Sequence, residues 1–200
     1  MSESLRISNV IICYPHLYEK HAPPGTHNEK YGAEFVLDPV KHKDDLARLD
    51  AAFRRVATDA GKADKLQFLK SPVKDGDELN AEAAGKGRNT RPELAGKKVL
   101  RASDANYQPA VVDRGLQPIG EDRKNMVFGG CIVNAFVDLY WSSNQTNPGC
   151  FAGLRGVQLV DNVNVEKLGG GAMDAEQMFA KVEGAPEPLV PNTPDDNVPW

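Results

Sequence analysis

The sequence predicts an all-β body with one inserted helix, a β-rich α+β chain that closes five strands into a small barrel and trails a flexible C-terminal tail. Three observations carry this reading. Short runs rich in β-branched and aromatic residues are separated by Gly, Pro and Asn punctuation. One stretch only, between residues 45 and 60, keeps helical rather than alternating spacing of its apolar residues. Beyond Lys181 the chain has no basic residue, four acids and five prolines. Such a composition has too little apolar surface to offset the entropy of ordering.

Residues 5–14 (LRISNVIICY) read as a first strand, and residues 16–30, with Pro23-Pro24-Gly25, as a loop. In residues 31–37, Tyr31, Ala33, Phe35 and Leu37 alternate with Gly32, Glu34 and Val36, as a half-buried strand requires. Asp38-Pro39 ends it. Leu46, Leu49, Phe53, Val56 and Ala60 then mark one face of an amphipathic helix of about four turns, stopped near Gly61. Residues 70–97 are polar and Gly-rich and read as a long loop. Short strands follow at 98–102 and 108–113. Residues 130–141 give the clearest strand: Cys131, Val133, Ala135, Val137, Leu139 and Trp141 are all apolar, so Trp141 is assigned to the core. Residues 150–160 return as its hairpin partner, and residues 174–181 read as a short last helix. The oligonucleotide-binding (OB) barrel, five strands in Greek-key order with a helix between two of them, fits best. The helix falls after the second strand rather than the third, which calls for an elaborated or rearranged barrel.

Two hundred residues suit one domain with an appendage. The division expected is a domain over residues 1–181 and a disordered acidic, Pro-rich tail over 182–200 ending in Trp200. No apolar run is long enough to span a membrane. The first residues lack the pattern of a signal peptide, and three widely spaced cysteines (Cys13, Cys131, Cys150) make no disulfide framework. A cytoplasmic setting is expected. The net charge of −4 resides wholly in the tail, because residues 1–181 hold 24 basic and 24 acidic side chains. A neutral body still has the means to present one basic face.

Aromatic residues in or beside the strands are interleaved with cations. Tyr14, Tyr31, Tyr107, Phe128, Phe136 and Tyr140 are the candidate stacking rings. Arg88, Arg91, Lys97, Lys98, Arg101, Arg114, Lys124 and Arg155 are the candidate phosphate contacts. Bases stack on exposed rings while a basic groove follows the phosphates, the pattern of single-strand binding. The core is the competing use for each ring. In the tail, Asp195, Asp196 and Trp200 read as a linear motif: a charged tether delivering one aromatic anchor to a partner.

Other constellations are weaker. Cys13, His16, His21 and His27 are spaced C-x2-H-x4-H-x5-H, which matches no common zinc finger. The preferred reading is a strand cysteine with three solvated loop histidines, and no metal. Asp75-Gly76-Asp77-Glu78 lacks the remaining ligands of a calcium loop and reads as a solvated turn. Neither a nucleophile–base pairing nor a phosphate loop occurs, so no catalysis and no cofactor are expected.

Several segments in order resemble a phage family once known only as a domain of unknown function and associated with single-stranded-DNA-binding OB proteins. They are Tyr14-Pro15-His16-Leu17-Tyr18, residues 30–37 (KYGAEFVL), 109–113 (PAVVD), 128–131 (FGGC) and 148–158 (PGCFAGLRGVQ). The tail is similar to those of replicative single-stranded-DNA-binding proteins of short-tailed phages, which end in acids and one aromatic. The resemblance implies sequence-independent binding of single-stranded DNA in phage replication or recombination. For the tail it implies contact with replication proteins such as a polymerase, and competition with DNA for the basic groove. The oligomeric state, monomer or dimer, is left open. The alternatives are a virion or assembly protein without DNA binding, and a metal-dependent nuclease using Asp75, Asp77 and Glu78.

Overall fold

The computed structural model describes residues 2–22, 26–144 and 148–168. The chain divides into two units, 1–169 and 170–200, and the described residues belong to the first. The short helix expected at 174–181, the domain boundary at 181 and the tail motif all lie outside the described residues.

The described residues form seven strands: β1 (Ser2–His21), β2 (Lys30–Leu37), β3 (Val73–Asp75), β4 (Lys98–Asp104), β5 (Ala110–Val112), β6 (Ile132–Ser142) and β7 (Gly149–Asp161). They form a sheet in the order β3-β4-β2-β1-β6-β7-β5, and β4 meets β7 in parallel at Ala102 and Ala152. That last pairing closes β1, β2, β4, β6 and β7 into a five-stranded barrel with OB connectivity. β3 extends β4, and β5 lies parallel on β7.

Period-two patterning decides which side chains enter the barrel. Cys131, just before β6, and Val133, Ala135, Val137 and Leu139 within it are buried, and they meet Leu5, Ile7, Phe35, Leu100 and Leu154 in one core. Trp141, expected in the core with them, is only half-buried and packs against its edge. The alternation holds, but the hairpin outruns the barrel interior. β1 is longer than expected and carries His16 and His21, which sequence reading left in a loop. Two irregularities bend it. Asn9 sits at φ 56°, its backbone N–H held by Asn134 Oδ1 at 3.0 Å, and Tyr14 sits at φ 48°. Bulges of this kind bend a strand and raise its twist, which a small barrel needs.

The helix α1 (Lys43–Asp59) buries Leu49, Ala52 and Val56 in the barrel core and stops at Gly61, whose φ of +69° suits glycine. The long loop expected over 70–97 is instead an ordered insert containing β3, the helix α2 (Gly76–Gly85) and a 3₁₀ turn at Pro92–Leu94. The acidic cluster is its start signal. The Asp75 carboxylate accepts from the backbone N–H groups of Asp77 and Glu78 at 2.9 and 3.2 Å, an N-cap. A Cβ on Gly76 would fall 2.0 Å from the Leu94 carbonyl oxygen, so only glycine lets the helix start against that turn. The insert forms a second small core on the outer face of the barrel, where Leu94 packs with Cys13, Val36 and Val99, and Leu79 lies against them. α2 buries only Gly76 of its own residues, so no apolar stripe announced it.

Candidate nucleic-acid interface

The outward side chains of β2 and β4 are Gly32, Glu34 and Val36 against Ser103, Arg101 and Val99, in register. The insert covers Val36 and Val99 and leaves the other half of this face open. Two adjoining cavities occupy the open half. One, of about 510 Å³, is lined by Tyr14, His16, His21, Tyr31, Gly32 and Ser103 among others; the second, of about 270 Å³, is lined by Leu79, Lys86, Arg88 and Arg91. Tyr14, Glu34 and Arg101 line both, so these three stand at the junction of one groove.

Each junction side chain is positioned by local structure. Tyr14 is turned outward by its bulge and is 44% exposed. A non-glycine residue at positive φ costs about 1–2 kcal/mol, and the Arg91 guanidinium, 5.3 Å from the ring centre, offsets part of that. Asn80 of α2 fixes the Arg91 backbone from both sides: Nδ2 donates to its carbonyl at 2.9 Å and Oδ1 accepts from its N–H at 2.8 Å. Glu34 then accepts from Arg91 Nη1 at 2.5 Å and from Arg101 Nε at 2.7 Å. One carboxylate therefore holds two cations on the groove floor. Lys20 lies 5.5 Å from the Tyr31 ring on the same side of the barrel.

A second array adjoins the first at Asp104, which opposes Tyr31 across the strands. Arg155 donates to Asp104 and Asp138, each at 2.7 Å, and its guanidinium is 5.9 Å from the exposed Tyr107 ring. It passes over Gly153, where a Cβ would be 3.6 Å from its Nη2. Burial would raise the Asp138 carboxyl, but hydrogen bonds from Ser4 and Arg155 outweigh it and hold the group below its ordinary value. Tyr140 and Phe151 lie beside this cluster with ring centres 6.2 Å apart.

The remaining candidates are dispersed. Lys124 pairs with Glu19 at 2.7 Å and shares a third cavity, of about 420 Å³, with Phe128, above which Lys167 lies at 5.5 Å. Phe136 is 46% exposed on the outer face of β6, beside Gly156 and Leu116. Arg114 reaches the Val160 carbonyl and Asp161 at the end of β7. Lys97 is held by Asp38 and Lys98 by Asp75, at the opposite end of β2–β4 from Tyr31. Asp195, Asp196 and Trp200 lie outside the described residues.

Glu34, the His16–His21 pair and Phe151 escaped sequence reading. Glu34 carried one usable signal, an acid on the outer face of a strand rich in neighbouring cations. The four-residue zinc constellation is not assembled. Cys13 is buried and its thiol pushed up to about 12, first by burial and then by Glu93 and Glu34, so it does not offer a thiolate. Among the described residues, no group of three or more His, Cys, Asp or Glu side chains is placed to hold a metal ion. Two of the three acids of the nuclease alternative are occupied in folding the insert: Asp75 caps α2 and pairs with Lys98, and Asp77 accepts from the Gly96 N–H at 3.0 Å.

The family model described as Enterobacter phage Enc34, ssDNA-binding protein, matches residues 3–189. The chain belongs to this family. A putative protein p50 of Acyrthosiphon pisum secondary endosymbiont phage 1 is 25% identical over 182 residues, covering 86% of this chain and 91% of that protein. The Enc34 family fold is also matched by solved structures. The single-stranded DNA-binding protein from bacteriophage Enc34 in complex with ssDNA aligns with a TM-score of 0.68 at 20% identity, covering 83% of this chain and 89% of that one. A second structure of the Enc34 protein aligns with a TM-score of 0.65 at 21% identity over 88% and 90% of the two chains.

Proposed function

We propose that this protein binds single-stranded DNA without sequence preference, by stacking bases on exposed rings while cations follow the backbone. The observation that carries the reading is the groove on the β2–β4 face, the surface on which OB barrels take oligonucleotides. At its centre an exposed Tyr14 ring stands among Arg91, Arg101 and Glu34. Membership of a family described by its single-stranded-DNA binding supports the same ligand. Tyr107, Tyr140 and Phe151 around Arg155 supply a second platform reached past Asp104. The setting is the cytoplasm of an infected bacterium, in phage replication or recombination. The tail, with Asp195, Asp196 and Trp200, recruits a replication protein such as a polymerase.

The decisive experiment is a salt titration of binding to a labelled homothymidine oligonucleotide, with a duplex of equal length as competitor. Affinity is expected to fall with salt at about −0.7 log units per log unit for each neutralised phosphate. Binding that ignores salt, or that prefers the duplex, overturns the proposal.

A further inference from the structure

His16 and His21 lie face to face, ring centres 4.2 Å apart and planes 8° from parallel. Both line the larger cavity of the groove with Tyr14 and Tyr31. His21 is exposed and His16 half-buried, so His21 is the more accessible ring of the pair. The pair is built in: His16 opposes Gly32 and His21 opposes Lys30 in the β1–β2 ladder, with an irregularity between them that brings residues five apart into contact. Gly32 leaves the floor beside the stack free of any side chain. A Cβ there would come within 3.0 Å of the Ala102 carbonyl oxygen.

We propose that the stacked His16–His21 pair is the end wall of a nucleobase subsite, and that one proton taken up by the pair tightens the hold on single-stranded DNA. This rests on the groove's being the DNA site. A neutral imidazole is an aromatic platform, and a base laid on His21 extends the stack to three rings. A protonated one adds a cation beside the phosphates. Two charges at 4.2 Å repel strongly, so a proton on one ring disfavours a second proton on the other. Burial, and then the charge of His21, hold His16 below its ordinary value when DNA is absent. The charged neighbours do not cancel this arrangement. On β1 they are Glu19 and Lys20; on β2, Lys30 and Glu34; from β4, Arg101, and the nearby phenols of Tyr14 and Tyr31 are uncharged. Lys124 and Lys167 face His16 across the third cavity, and Glu19 is already paired with Lys124. Glu34 is likewise taken by its two arginines. An arriving phosphate, an opposite charge beside the pair, favours the proton. The sign follows: the protonated form binds more tightly, so affinity rises as pH falls.

The test uses the full chain and a homothymidine oligonucleotide carrying a pH-insensitive dye, followed by anisotropy at fixed salt from pH 7.5 to 5.5. Wild-type affinity is expected to rise several-fold over this range as the pair takes up its proton. The double variant H16F/H21F keeps two flat rings but no titratable nitrogen, so whatever its affinity at pH 7.5, it should lose the rise as pH falls. H21A should bind several-fold more weakly already at pH 7.5. Wild-type binding that is flat with pH, or a rise that survives in H16F/H21F, overturns the proton uptake. H21A binding equal to wild type at pH 7.5 overturns the stacking wall. Failure of the wild type to bind the oligonucleotide at any pH would instead bring down the DNA reading beneath it.

Discussion

Replacing Glu34 by Gln should make the groove bind DNA more tightly and the protein fold less stably. In the free protein this one carboxylate, with a side chain 17% exposed, neutralises Arg91, 19% exposed, and Arg101, 49% exposed. Hydrogen bonds to charged groups contribute about 1.5–3 kcal/mol when buried, and an exposed pair about 0–1. The amide keeps an acceptor for one arginine, so Glu34→Gln should cost about 1–3 kcal/mol. For a chain of this size each kcal/mol is worth roughly 2–4 °C in Tm. The binding term has the opposite sign. A phosphate about 6 Å from the lost carboxylate escapes about 1.4–3 kcal/mol of repulsion at an effective dielectric of roughly 20–40, which is tenfold or more at low salt. The loss of one negative charge leaves one net positive charge more for phosphates, so the salt slope should steepen by about 0.7. Thermal unfolding and anisotropy over a range of salt measure the two effects separately. A folded Glu34→Gln protein with an unchanged or shallower salt slope would refute the idea that Glu34 holds the arginines back from the phosphates.

Further consequences are open to measurement. Tyr14→Gly removes about 1–2 kcal/mol of positive-φ strain together with about 0.5–1 of contact with Arg91. Stability should therefore change by less than about 1 kcal/mol in urea unfolding, while DNA affinity falls by tenfold or more, the range for one stacked base. Trp141→Ala should cost about 2–3 kcal/mol, below the range of about 3–5 for a fully buried Trp, because the ring is half-buried at the core edge; equilibrium denaturation decides. Truncation after Val182 should raise DNA affinity at low salt, with the gain fading as salt screens the tail's acids. If the tail recruits a replication protein as proposed, truncation should also abolish co-purification with it, and Trp200→Ala alone should do most of that second damage.

What could be read from the residues alone follows the reach of local physics. Alternation in residues 131–139 placed five side chains in the barrel, and helical spacing in residues 46–60 placed α1, because both patterns are written in adjacent residues. The family, too, was legible, through short segments taken in order, and the family model matches residues 3–189. The insert was not. Its order depends on one cap at Asp75, a glycine touching Leu94, and packing onto Val36 and Val99, contacts between residues up to about sixty positions apart. The groove was legible only as a list of rings and cations. Tertiary structure gathered Tyr14, Arg91 and Arg101 around an unforeseen Glu34 and sent Lys97 and Lys98 to the far end of the same strands. It also stacked two histidines that sequence reading had left in solvent. The physical reason is that period and composition determine which face of a strand a residue occupies. Only barrel closure, bulges and register decide which faces meet.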